Sequence, residues 1–142
     1  MKIEIKKANS IKDAKRLSEL DRRMFEYDAF AEHEWLGCKC FWIIADGERV
    51  GSIAMKHEKD FLYIVSTGIL PEFQGRGIGD FAKRWEIEYA KNHGFKRIES
   101  HVRLSNEKSL RLNEKHGFKM IKVEKDFYKN PSEDGAVMQL LL

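Results

Sequence analysis

Cysteine is scarce in this sequence: only Cys38 and Cys40 occur, which excludes a disulfide-stapled scaffold. Two thiols are also too few ligands for a metal site, so no metal is expected. Their spacing puts both on one face of a strand, as small buried or half-exposed thiols in a reducing compartment. Long apolar runs are missing as well. No stretch approaches membrane-spanning length and no N-terminal segment resembles a signal peptide, so a cytoplasmic protein without a membrane partner is expected. Neither sign of charge dominates: 26 Lys and Arg against 23 Asp and Glu leave a net charge of +3. The bases are interspersed with acids, unlike the clustered footprint of a nucleic-acid binder. No repeat, low-complexity tract or linker divides the chain, and 142 residues suit one domain, residues 1–142, with one core.

What is present is an ordinary globular composition, 42% apolar and 35% charged, which excludes a disordered chain. Residues 2–7 alternate polar residues with Ile3 and Ile5, the period of a half-buried strand. Ser10 and Asp13 resemble a capping box, followed by Ile11, Ala14, Leu17, Leu20 and Met24 at helical spacing. A second, shorter helix is expected over Ala29–Leu36. Strands over Cys40–Ala45 and Arg49–His57 flank an Asp46-Gly47 hairpin turn, and a third covers Phe61–Leu70. Beyond a glycine-rich segment, Ile78, Phe81, Ala82, Trp85 and Tyr89 mark one face of a helix that Gly94 ends. A strand over Lys96–Val102, a helix from Ser105 or Asn106 to Gly117, and strands over Phe118–Lys125 and Val137–Leu142 complete the chain, with a loop at Asn130–Gly135. The order β-α-α-β-β-β-α-β-α-β-β requires a mixed sheet in an α/β (α+β) fold.

The chemistry concentrates at Gln74-Gly75-Arg76-Gly77-Ile78-Gly79. A strand enters this turn and the turn opens directly into a helix. Glycine lets the backbone approach a ligand, and the first helical amides, at the positive end of the dipole, favour a pyrophosphate. Arg76 adds a cation. A P-loop is excluded because no Gly-Lys-Ser/Thr is present. The dinucleotide fingerprint fails from Gly75, where Asp80 replaces its third glycine. From Gly77 it fits only with Ala82 in that place, and about three strands precede the motif rather than one. A helix-entry turn with no ligand is the plain alternative.

This segment, preceded by Ile69-Leu70-Pro71, resembles the Gln/Arg-x-x-Gly-x-Gly/Ala signature of the GNAT acyltransferases. His101-Val102-Arg103-Leu104-Ser105-Asn106, through Ser109 to Glu114-Lys115-His116-Gly117-Phe118, is similar to that superfamily's second cofactor segment. Phe127-Tyr128 with residues 133–138 is similar to the end of the enzymes that acetylate N-terminal alanine of ribosomal proteins. The resemblance implies a mixed, splayed sheet of about seven strands flanked by about four helices, with acetyl-CoA wedged between the strands before and after the Gly-rich helix. It implies that Gln74, Gly75, Arg76, Gly77, Ile78 and Gly79 hold the pyrophosphate and that Ile69 pairs its main chain with the pantetheine arm. Asn106, with Ser109 nearby, would reach the pantetheine or phosphate region, and Asn106 equally suits a helix N-cap.

Acetyl transfer to an amine needs a base for the ammonium, an acid for the departing thiolate and a donor for the oxyanion, such as a backbone N–H near Ile69. Here the chain departs from its relatives. Asn113 stands where they carry an acidic tyrosine, and an amide cannot deliver that proton. His101 stands where the ribosomal-protein enzymes place a glutamate, and it is the candidate base; a packed strand histidine is the bland alternative. Tyr128 is the candidate acid, against a plain strand-end aromatic. Tyr63, near the position of a carboxylate base in some relatives, would position a water or simply pack. Cys38 and Cys40 lie outside the motifs, and no covalent enzyme intermediate is needed. On the acceptor side the resemblance places Tyr27 and Phe30 among Glu26, Asp28, Glu32 and Glu34, carboxylates suited to a cationic amine or peptide N-terminus. A solvated charged face would look the same. The expectation is an acetyl-CoA-dependent N-acetyltransferase acting by direct attack on a peptide N-terminus or small cationic amine. The alternatives are a non-catalytic acyl-CoA-binding regulatory module and a nucleotide-binding regulator. A sheet-edge homodimer is expected from the relatives.

Overall fold

The elements run β1 (Ile3–Ala8), α1 (Ala14–Met24), β2 (Lys39–Ala45), β3 (Glu48–His57), β4 (Phe61–Ile69), α2 (Ile78–Asn92), β5 (Arg97–Arg103), α3 (Glu107–Lys115), β6 (Lys119–Tyr128) and β7 (Glu133–Leu141). Single 3-10 turns occur at Glu32–Trp35 and Pro71–Phe73. These come from a computed structural model that describes residues 1–142. The strands form one seven-stranded mixed sheet in the order β1-β2-β3-β4-β5-β7-β6, as the α+β reading requires. Three α-helices flank it where about four were expected, because the second became a 3-10 turn. The chain divides into two units, Met1–Lys56 with Val65–Ala82, and His57–Ile64 with Lys83–Leu142.

In the first unit β1 and β3 both pair antiparallel with β2, whose Phe41, Trp42 and Ile43 are all buried. Asp46 and Gly47 both take positive φ, the hairpin turn that matches strand twist. Helix α1 buries Ala14, Leu17 and Leu20 into a core that includes Trp35, Cys40 and Trp42. Its entry differs from the Ser10 capping box. Asn9 Oδ1 accepts the amides of Ile11 and Lys12 at 2.9 and 2.8 Å, while Asp13 accepts the Asn9 amide at 2.9 Å. Ile11 consequently lies outside the apolar face, 73% exposed.

The helix expected over Ala29–Leu36 is one turn because its ends are held elsewhere. The Phe30 amide donates to Asp21 Oδ2 at 2.9 Å, and the buried Trp35 indole donates to Ser18 Oγ at 2.7 Å. Anchored at both points, the segment closes only i to i+3 bonds, Glu34 to Ala31 at 3.0 Å and Leu36 to His33 at 3.3 Å.

In the second unit β4 and β5 pair in parallel from Phe61 opposite Arg97 to Ile64 opposite Ser100. Strand β7 lies between β5 and β6 and pairs antiparallel with both. Because Gly135 has partners on each side, Arg103 and Glu124, β7 begins at Glu133 and the expected Asn130–Gly135 loop is correspondingly shorter. The buried stripe of α2 also differs from the reading. It follows Ile78, Ala82, Glu86 and Ala90, with Phe81, Trp85 and Tyr89 half-buried at its margin. Glu86 is tolerated there because the equally buried Lys83 ammonium lies 3.0 Å away. No helix is long and apolar enough to cross a membrane.

Candidate active site

The glycine turn has the geometry that anion binding asks for. Gly75 and Gly77 take φ of +77° and +83°, and the space a Cβ would occupy at each is open. Only glycine adopts this left-handed backbone cheaply, and the missing side chains leave the amides accessible. Helix α2 starts at Ile78, and its first ladder bond joins the Phe81 amide to the Gly77 carbonyl at 3.1 Å. The amides of Ile78, Gly79 and Asp80 precede that ladder at the positive end of a 15-residue helix. Gln74 folds back so that its Nε2 donates to the Ile69 carbonyl at 3.1 Å, tying the cradle to the end of β4. The exposed Arg76 guanidinium lies 5.2 Å from the Phe73 ring centre.

In the second unit the structure brings together residues that were separate candidates in the sequence. Tyr63 Oη and His101 Nδ1 are 2.6 Å apart. The other nitrogen, Nε2, lies 3.2 Å from Glu124 Oε1. Distance and angle disagree here: the pair is close enough for an ion contact, yet Nε2 is buried with no aligned hydrogen bond. The imidazole stacks on Phe127 with centroids 3.8 Å apart and planes 4° from parallel. That stack exists because Gly135 has no side chain; a Cβ there would lie 3.0 Å from Phe127 Cβ. Burial, with the Glu124 and Glu99 carboxylates, pushes the Tyr63 hydroxyl up to about 12, so it stays protonated at neutral pH.

Tyr128 ends β6 with its ring edge-on to Phe127 at 5.0 Å and the Arg103 guanidinium 4.4 Å from its centre. Arg103 is itself fixed, donating to the Pro131 carbonyl at 3.0 Å and to Glu133 at 3.2 Å. Glu133 also accepts the Ser105 hydroxyl and amide, and the hydroxyl bond first holds its carboxyl below the usual range. Asn106 caps α3 by accepting the Ser109 amide at 3.2 Å, which leaves its own Nδ2 for other partners. Asn113 is buried, with Nδ2 donating to the Ser109 carbonyl at 2.8 Å and Oδ1 without a partner.

The remaining candidates are in the first unit. Tyr27 is 56% exposed, whereas Phe30 packs edge-on against Trp35 at 5.0 Å and adjoins the core. Both thiols are buried; burial raises Cys38 and pushes Cys40 up to about 12, so neither is a ready nucleophile. No group of three or more His, Cys, Asp or Glu side chains could hold a metal ion. Sequence reasoning missed Glu124 entirely: a carboxylate on an alternating polar strand carries no local signal, and only the β6–β7 register brings it to His101.

The comparisons with known proteins agree with this architecture. A protein from Bacillus subtilis (strain 168), provisionally named a ribosomal protein bS18-alanine N-acetyltransferase, is 27% identical over 97 residues, 68% of this chain and 55% of that protein. N-alpha-acetyltransferase 50 of Danio rerio is 32% identical over 80 residues, 55% of this chain and 48% of that protein. This chain thus spans about half the length of the curated relatives it matches. In fold, the crystal structure of the ribosomal-protein-S18-alanine N-acetyltransferase from Escherichia coli superposes with a TM-score of 0.87 at 18% identity, covering 99% of this chain and 94% of that one. Residues 8–118, well over half of the chain and including the whole glycine cradle, match the model of the Acetyltransferase (GNAT) family, and to that family this chain belongs.

Proposed function

We propose that this protein transfers an acetyl group from acetyl-CoA to a primary amine, with a peptide N-terminus as the preferred acceptor and a small cationic amine as the broader class. The observation that carries the reading is the cradle: two left-handed glycines with open space beside them at the start of a long helix, within the residues matched by the family. The GNAT family uses acetyl-CoA, which when bound supplies an activated thioester acyl group. Gln74, Gly75, Arg76, Gly77, Ile78 and Gly79 would hold its pyrophosphate by main-chain N–H groups and the Arg76 cation. The Ile69 main chain would pair with the pantetheine arm, and the uncommitted Nδ2 of Asn106, held in place through Ser109, would donate to the same cofactor. The named activities of the bacterial and fish relatives support a peptide N-terminus as acceptor.

An acceptor amine reaches the protein largely as ammonium and must lose a proton before it can attack. Tyr63 and His101, joined at 2.6 Å, form the accepting pair, a function worth about 10²–10⁴-fold in rate. Tyr128 would return a proton to the leaving group, its ring fixed between Phe127 and Arg103. Asn113 cannot take that role. Its amide is buried and spent on the Ser109 carbonyl. The same residue favours a second reading, a regulatory module that binds acyl-CoA and catalyses nothing.

Calorimetry with acetyl-CoA and CoA, followed by thiol release with N-terminal peptides and polyamines, tests both. Binding with amine-dependent release is expected. Tight binding with no release from any acceptor would favour the regulatory module, and failure to bind either form would refute both.

A further inference from the structure

We infer that Glu124 is a positioning residue that fixes His101 as its Nε2–H tautomer, so that Tyr63, His101 and Glu124 form one proton relay whose working end is the Tyr63 hydroxyl. This rests on the acetyltransferase reading above and deepens it.

Hydrogen-bond chemistry decides the direction of the relay. An ionised carboxylate only accepts. Glu124 Oε1 lies 3.2 Å from His101 Nε2, so a bare nitrogen there would set two acceptors against each other. The proton therefore sits on Nε2. A neutral imidazole has only one, which leaves Nδ1 bare and facing Tyr63 Oη at 2.6 Å; the phenol must donate. The half-buried Tyr63 keeps its hydroxyl proton at neutral pH and can do so. Lys122 Nζ lies 3.7 Å from the same Glu124 oxygen. Phe127, stacked 3.8 Å from the imidazole, opposes a ring flip that would exchange the two nitrogens. Glu124 is 39% exposed against 14% for His101, so the carboxylate has the freedom to swing into line with Nε2 as charge develops there.

The consequence is that His101 does not meet the acceptor directly, since Tyr63 Oη occupies Nδ1 and Nε2 is buried beside Glu124. A proton passes from the acceptor ammonium to Tyr63 Oη while the hydroxyl's own proton passes to His101 Nδ1. The electron pair of the broken N–H bond stays on the amine. The imidazolium that forms is neutralised by Glu124, and loss of its Nδ1 proton to solvent, with return of the phenol bond, resets the relay. This is the logic of a nucleophile–histidine–carboxylate triad, with a phenol as the terminal group.

The first test needs no turnover. Two-bond proton–nitrogen NMR spectra of the free protein, with the His101 signals assigned by their loss in H101Q, report which nitrogen carries hydrogen. An Nε2–H pattern that becomes a mixture in E124A is expected; an Nδ1–H pattern in the unmodified protein would overturn the relay. The second test is kinetic. E124A should lower kcat by at least ~10-fold, part of the general-base contribution, with acetyl-CoA affinity within about twofold. In the Y63F background the same change should cost less than about twofold, because the terminal group it serves is gone. An equal loss in both backgrounds would show that Glu124 acts elsewhere and would refute the inference. Should the unmodified protein acetylate no amine at all, the acetyltransferase reading fails while the tautomer measurement still decides the relay.

Discussion

Replacing Asp21 by Asn should remove a pH dependence that the fold builds into its first unit. Asp21 is 1% exposed; its Oδ2 accepts the Phe30 amide at 2.9 Å, and Oδ1 is buried without a partner. Burial, opposed by the Phe30 bond and helped by Glu34, raises its carboxyl from 3.8 to about 6. A raised carboxyl binds its proton more tightly folded than unfolded. Stability from this group is therefore complete below about pH 4, is lost as pH rises towards 6, and stays lost above. At roughly 1.4 kcal/mol per pH unit the gap is worth about 3 kcal/mol. An asparagine keeps an oxygen for the Phe30 amide and has no charge to desolvate. Urea denaturation of both proteins at pH 4 and pH 7.5 measures the effect. The stability of D21N relative to the original should improve by about 2 to 3 kcal/mol between the two pH values. A relative stability constant within about 0.5 kcal/mol would refute the view that Asp21 is buried as a strained carboxylate.

Other consequences follow from the site. Gly77→Ala forces a Cβ onto a φ of +83°, at a strain of about 1–2 kcal/mol, and calorimetry should show acetyl-CoA binding weakened roughly tenfold. Gly135→Ala places a Cβ against Phe127 and should displace it from His101; kcat should fall at unchanged acetyl-CoA affinity, and a crystal structure should show the stack opened. Tyr128→Phe keeps the ring between Phe127 and Arg103 and should lower kcat ~10²-fold or more with the cofactor dissociation constant unchanged. Unchanged turnover would remove Tyr128 from the mechanism.

The parts of this protein legible in sequence are those whose cause is local. Alternation at Ile3 and Ile5, the Asp46-Gly47 turn and the apolar spacing of α1 each state a period or a dihedral preference within a few residues. The strand and the turn formed where they were expected, and α1 kept its spacing from Ala14 onward while starting later than Ser10 and Ile11 implied. The geometry of the Gln74 to Gly79 turn is legible for the same reason: one contiguous strand–turn–helix carries it. Where a tertiary partner competed with local preference, the reading failed. Trp35 reached Ser18 and Phe30 reached Asp21, so an apparent helix stopped after a turn. Glu86 entered a buried face because Lys83 was one turn away to neutralise it. The proposed relay lies wholly on this second side. Tyr63, His101 and Glu124 belong to three strands, and no spacing in sequence relates them. Their meeting depends on β7 inserting between β5 and β6 in one register, with a glycine at the point where Phe127 crosses, because hydrogen-bond register, unlike helical period, is set by distant partners.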